Sequence, residues 1–132
     1  GVRFVDLKTL LSECDIVSLH TPLNDGTRGL MNRESIGWMK KNAVLINTAR
    51  GPVVDSDALA EALAEGRIGG ACIDVFENEP PVRKDHPLFS APNTIVTPHV
   101  AFATREALVK RAVIVFDNVV NYLDGTPGNV IG

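Results

Sequence analysis

An arginine, a glutamate and a histidine, each set just beyond a short apolar run, are the residues of this chain best suited to chemistry. Arg50 follows Leu45-Ile46-Asn47-Thr48-Ala49 and precedes Gly51. From there a guanidinium can fork onto a carboxylate or carbonyl of a bound anion; a surface ion pair at a strand end would use the same residue. His99 stands between Pro98 and a long helical pattern. An imidazole changes charge near neutral pH and suits general acid or base work, although packing against a helix N-terminus would also use one. Glu79 precedes Pro80-Pro81, which restricts its backbone to extended conformations. Beside an imidazole its carboxylate would orient the ring; otherwise it is one of three acids, with Asp74 and Glu77, in a solvated loop. As a set, an acid/base, an orienting carboxylate and an anion clamp suit carbonyl reduction or alcohol oxidation.

Asp74 differs in kind, because it falls inside the apolar run Ala71-Cys72-Ile73-Asp74-Val75 and a buried carboxylate needs partners. It could accept from a ligand amide or from backbone N–H groups of a neighbouring loop. His20 and Thr21 offer a ring and a hydroxyl after another apolar run, and either could serve only local backbone. No Gly-x-Ser-x-Gly, Walker loop, His-Glu-x-x-His or Cys-x-x-Cys occurs, which removes the serine hydrolase, nucleoside triphosphatase and metalloprotease readings and leaves no metal expected.

Positioning such residues falls to four runs rich in Val, Ile and Leu: Asp15 to Leu19, Ala43 to Asn47, Ala71 to Val75, and Thr94 to Thr97. Each has the length and composition of a strand buried on both faces. Helical spacing lies between them. Leu7, Leu10 and Leu11 precede the first run. Asn32 can cap a helix running to Lys40 that carries Ile36 and Met39. Asp55 caps a third, with the stripe Ala58, Leu59, Ala62 and Leu63, and Gly66 ends it in the left-handed conformation. A last helix is expected from Thr104 to about Leu123, where Leu108, Ala112, Phe116, Val119 and Leu123 keep a period near 3.6 before Gly125 and Pro127. Strand and helix alternate, which predicts an α/β fold with a parallel sheet. In such sheets ligands gather at the carboxyl ends of the strands, where His20, Thr21, Arg50, Glu79 and His99 all fall.

The composition is compatible with this. The 132 residues are 45% hydrophobic and 22% charged, with 13 Lys and Arg against 16 Asp and Glu. A chain of this length can bury roughly two-thirds of its unfolded surface, so a core without staples is expected. A net charge of -3 with no basic block argues against nucleic acid or an anionic membrane as partner. No apolar run approaches the roughly 18 residues of a membrane span. Cys14 and Cys72 sit singly in apolar surroundings, so neither a disulfide framework nor a thiolate zinc site is expected, and a reducing, cytoplasmic compartment is. The chain starts at Gly1 without an initiator Met or a targeting pattern, which reads as a fragment or a processed chain.

These motifs resemble the NAD(P)-dependent D-isomer-specific 2-hydroxyacid dehydrogenases, which include phosphoglycerate, D-lactate and glyoxylate/hydroxypyruvate enzymes. The resemblance is carried by Cys14-Asp15-Ile16-Val17-Ser18-Leu19-His20-Thr21-Pro22-Leu23, by Met39-Lys40 through Leu45-Ile46-Asn47-Thr48-Ala49-Arg50-Gly51, by Gly70 to Asp74-Val75-Phe76-Glu77-Asn78-Glu79-Pro80, and by Thr97-Pro98-His99. It spans essentially the whole chain. It implies that Arg50 binds substrate, that Glu79 orients the histidine, and that His99 is the acid/base for a 2-keto or 2-hydroxy acid. It also implies that Thr21, Thr48, Ala49, Arg50, Asp74, His99 and Ala101 contact NAD or NADP, Asp74 holding the nicotinamide carboxamide. A homodimer is implied for the full-length parent.

Two departures accompany the resemblance. Val100-Ala101-Phe102 stands where family members often carry Gly after the histidine. No Gly-x-Gly-x-x-Gly occurs anywhere, nor the acidic residue that would hold the adenosine ribose. The resemblance therefore implies a Rossmann-like partial NAD(P)-binding domain over residues 1–132, the second half of a doubly wound sheet. Strand and helix alternate over 1–103, the long helix takes 104–124, and 125–132 is a tail. As the alternative to a dehydrogenase fragment stands a non-enzymatic module like the family's dinucleotide-binding C-terminal-binding-protein corepressors, or a relic.

Overall fold

The structure, a computed structural model, describes residues 1–130; Ile131 and Gly132 of the expected tail lie outside them. Two compact units are distinguished, 1–99 and 100–132. The first contains α1 (Leu7–Glu13), β1 (Ile16–Leu19), α2 (Arg33–Gly37), β2 (Val44–Asn47), a 3-10 turn (Gly51–Val53), α3 (Ser56–Ala64), β3 (Gly70–Ile73), a second 3-10 turn (Pro87–Phe89) and β4 (Thr94–Val96). All four strands are parallel, in the spatial order β1-β2-β3-β4. This is the parallel α/β architecture the alternation predicts, and it is Rossmann-like as the resemblance implies.

Helix ends follow from local chemistry. Asp55 accepts the Ala58 N–H at 3.0 Å to start α3, and Gly66, at φ +64°, ends it. Ala58, Leu59, Ala62 and Leu63 are all buried, as the stripe requires. Asn32 caps α2 by accepting the N–H groups of Glu34 and Ser35. That helix stops earlier than Lys40, because the next N–H groups, Trp38 and Met39, reach back three residues to Ser35 and Ile36, the tightened bonding of a closing turn.

The strand order explains the burial. Stepping always to the next strand in the same direction, right-handed crossovers put the connecting helices α2 and α3 on one face of the sheet. The residues aligned across that face, Val17 with Leu45 and Ala71, then Leu19 with Asn47 and Ile73, are all buried and join one core with Leu11, Ile36, Met39, Leu59 and Leu63. The other face carries Ile16, Ser18, Val44, Ile46, Cys72 and Ile95, none of them buried; Ile16 and Ile95 are each 64% exposed. Burial on both faces, expected from the apolar runs, is therefore corrected to burial on one, since the crossovers of this unit supply helices to one side.

The second unit is led by α4 (Arg105–Leu123), within a residue of the expected bounds. Thr104 caps it by accepting the Ala107 N–H at 3.1 Å. Gly125, at φ +74°, closes it, with the Thr126 N–H reaching the Asn121 carbonyl at 2.9 Å. Asn129 Nδ2 donates to Asn118 Oδ1 at 2.8 Å. The stripe residues Leu108, Phe116, Val119 and Leu123 are all exposed.

Candidate functional site

At the end of β2 the buried side chain of Asn47 builds the turn that carries Arg50. Its Oδ1 accepts the Ala49 N–H at 3.1 Å, and its Nδ2 donates to the Arg50 carbonyl at 3.0 Å. A local ring of this kind fixes a turn without needing a neighbour. Arg50 is exposed and donates through Nη1 to the Ala49 carbonyl at 2.6 Å. Thr48 is exposed and Ala49 buried. Gly51 is fixed by contact: a Cβ there would lie 1.9 Å from the carbonyl carbon of Phe76. Only glycine lets the Arg50 turn touch the backbone leaving β3.

Asp74, 3% exposed, follows β3 and ties three strand ends together. Its N–H donates to the Asn47 carbonyl at 2.9 Å and its carbonyl accepts the His99 N–H at 2.8 Å. Its carboxylate accepts the hydroxyl of Thr97. Beyond β4, His99 adopts φ +54°, a left-handed conformation that a side-chain-bearing residue keeps only where its surroundings impose it. Its Nδ1 stands 2.8 Å from Glu79 Oε1, and Glu79 Oε2 accepts the Phe76 N–H at 3.4 Å. The carboxylate is thus held on one side by backbone and on the other by imidazole. The histidine side chain is 41% exposed, so the pair meets solvent or ligand.

After β1, His20 Nε2 lies 2.8 Å from the Ser18 hydroxyl. Thr21 Oγ1 is buried without a hydrogen-bond partner, an arrangement that is rare because an unpaired buried hydroxyl is costly. Ala101 is exposed in the turn that opens the second unit, where the Ala103 N–H meets the Val100 carbonyl at 2.8 Å. The structure thus brings Glu79 and His99 into contact and sets Arg50 on the neighbouring turn.

Several residues of this neighbourhood escape a reading by residue type. Asn47 and Thr97 are strand-end polar residues whose value lies in the turn and carboxylate they hold. For Asn47 the signal was its place in an apolar run, as for Asp74. His86 and Glu77 form a second imidazole–carboxylate pair, Nε2 to Oε2 3.1 Å. Burial raises the Glu77 carboxyl pKa, but hydrogen bonds from Ser56 and His86 outweigh it and hold the group below the usual carboxylate range.

Residues 1–101 match the family model for the D-isomer specific 2-hydroxyacid dehydrogenase, NAD binding domain. The chain belongs to that family. Among curated relatives it is 50% identical over 125 residues to a glyoxylate reductase of Thermofilum pendens, covering 95% of this chain and 37% of the relative. To a glycerate dehydrogenase of Methylorubrum extorquens it is 46% identical over 130 residues, covering 96% and 41%. The D-lactate dehydrogenase of Lactobacillus jensenii, solved with NAD+, superposes with a TM-score of 0.86 at 32% identity, over 97% of this chain and 42% of that one. The chain thus spans about two-fifths of the length of each of these three relatives.

Proposed function

We propose that this chain is part of an oxidoreductase that moves hydride between NAD(P)H and a 2-keto acid, giving a D-2-hydroxy acid, in a homodimeric, cytoplasmic protein. The observation that carries the reading is the 2.8 Å contact of Glu79 with His99, at the same sheet edge as Arg50. Arg50 binds the substrate carboxylate and thereby aims the keto group. Glu79 holds the Nδ1 side of His99, which leaves Nε2 to give its proton to the carbonyl oxygen as the alcohol forms and to take it back in the oxidation. When bound, NAD(P)H supplies the hydride to the carbonyl carbon. The residues present fit that group: the orphaned hydroxyl of Thr21 is a polar atom that a ligand amide or hydroxyl can satisfy, and the buried carboxylate of Asp74 is an acceptor at the same ends of the strands. Thr48, Ala49 and Ala101 complete the contacts proposed for it.

The test is turnover of glyoxylate, hydroxypyruvate and pyruvate, with NADH and with NADPH, by the full-length polypeptide that carries this chain. His99→Gln should lower kcat by about 10²- to 10⁴-fold, the usual contribution of a positioned acid/base. Unchanged turnover in that variant, or no turnover by the parent protein, would sink the proposal. Sedimentation of the same polypeptide reads the dimer.

A further inference from the structure

We propose that His86 is a positioning residue for Glu79, acting through Glu77 and Phe76 to fix how that carboxylate meets His99; the inference deepens the dehydrogenase reading and rests on it. Glu79 lies in a loop between β3 and β4 that contains no strand. Unrestrained, a glutamate there would spread over several rotamers at a cost in contact with its imidazole. Functional side chains on loops work when a second set of contacts holds the loop.

Those contacts are present. The His86 side chain is 11% exposed, and its Nε2 lies 3.1 Å from Glu77 Oε2. Glu77 and His86 line one cavity with Ser56, the first residue of α3, so the pair sits where the loop meets that helix. The imidazole stands edge-on to Phe76, with ring centres 5.0 Å apart and planes at 83°, and 5.5 Å from Phe89. Phe76 is clamped from its other side, where its backbone presses on Gly51. From this clamped residue the N–H reaches Glu79 Oε2 at 3.4 Å, and Glu79 Oε1 reaches His99 Nδ1 at 2.8 Å. A leucine could fill the space between the two phenylalanines. Reaching Glu77 takes a side chain with a donor at that distance, and the other ring nitrogen accepts the Leu88 N–H at 3.4 Å, so the histidine is explained by these polar contacts rather than by packing.

The readout is the tautomer of neutral His99, taken from imidazole ¹⁵N shifts of the 132-residue chain in mildly alkaline buffer, with the signal assigned by His99→Gln. In the parent chain the Nδ1–H form should dominate, because Glu79 accepts there. Glu79→Ala should convert His99 mainly to the Nε2–H form. His86→Phe, which keeps an aromatic ring but no donor, and Glu77→Ala should each lower the Nδ1–H share several-fold, and His86→Gln should restore it. If His86→Phe loses the folded amide spectrum, Glu77→Gln, which preserves shape and removes charge, carries the decision in the same direction. A tautomer that moves in Glu79→Ala but stays at the parent ratio in the His86 and Glu77 variants overturns the inference and leaves the Glu79–His99 reading standing. A tautomer that ignores Glu79→Ala overturns both.

Discussion

Arg50 is held by its own turn rather than by a carboxylate partner: the one described hydrogen bond of its side chain runs to the preceding carbonyl. Its planar fork is therefore poised for an anion, and Arg50→Lys is not conservative there. We expect KM for the keto acid to rise on the order of 10- to 100-fold with kcat less affected, the loss of one charged hydrogen bond worth about 1.5–3 kcal/mol; steady-state kinetics on the full-length polypeptide measure it. Glu77 gives a pH dependence. Its folded pKa is depressed, so its contribution to stability is present above the unfolded value of about 4.3 and is lost as pH falls through the folded value. Urea midpoints of the parent chain should drop between pH 6 and pH 3 by more than those of Glu77→Gln, a comparison that fails if the two curves run parallel.

The elements owe their precision to contacts that residue type foretells unevenly. Capping was readable in part: Asp55 and Asn32 hold the helix starts expected of them, because a cap is chemistry within four residues, whereas Thr104, expected as the first residue of the last helix, caps it instead. Removing the α3 cap with Asp55→Ala should cost about 0.5–2 kcal/mol, read as a shift in the urea midpoint at constant slope. The gathering of Arg50, Glu79 and His99 at one edge of the sheet was readable from their places after successive strands, whereas the particular pairing of Glu79 with His99 was implied by the family resemblance. The clamp on Phe76 was not. Gly51 looked like the end of an Arg-Gly turn, and its reason is a backbone 25 residues further on, which no local pattern encodes. Gly51→Ala should destabilise by about 1–3 kcal/mol or more, since the new methyl meets main chain rather than a side chain that can swing away. Chemical denaturation of that variant decides it.

For the whole molecule, the run composition announced a parallel sheet but overstated its cover. Apolar residues on both sides of a strand say what each side prefers, and connection handedness decides which side this unit's own helices reach. The consequence for dynamics is an order of protection. β2 and β3 are paired on both edges, and their inward residues are closed over by α2 and α3 in a common core. β1 and β4 are each paired on one edge only, and no residue of α4 is buried. Native-state hydrogen exchange should therefore be slowest at the amides of Leu45 to Asn47 and Ala71 to Ile73 and markedly faster along α4. Equal protection in β2 and α4 would contradict this account.

The sheet order β1-β2-β3-β4 also has a meaning in time. Each new strand needs only the edge left by the one before it, so a chain leaving the ribosome can zip its sheet in the order of synthesis, with no earlier strand waiting for a later one to be slotted between its neighbours. Arg50 is delivered with the second strand, Glu79 after the third, and His99 only once the fourth has docked. A nascent chain halted before that last step carries a nearly finished scaffold with an anion clamp and an orphan glutamate, and the ring that gives the pair its chemistry arrives last.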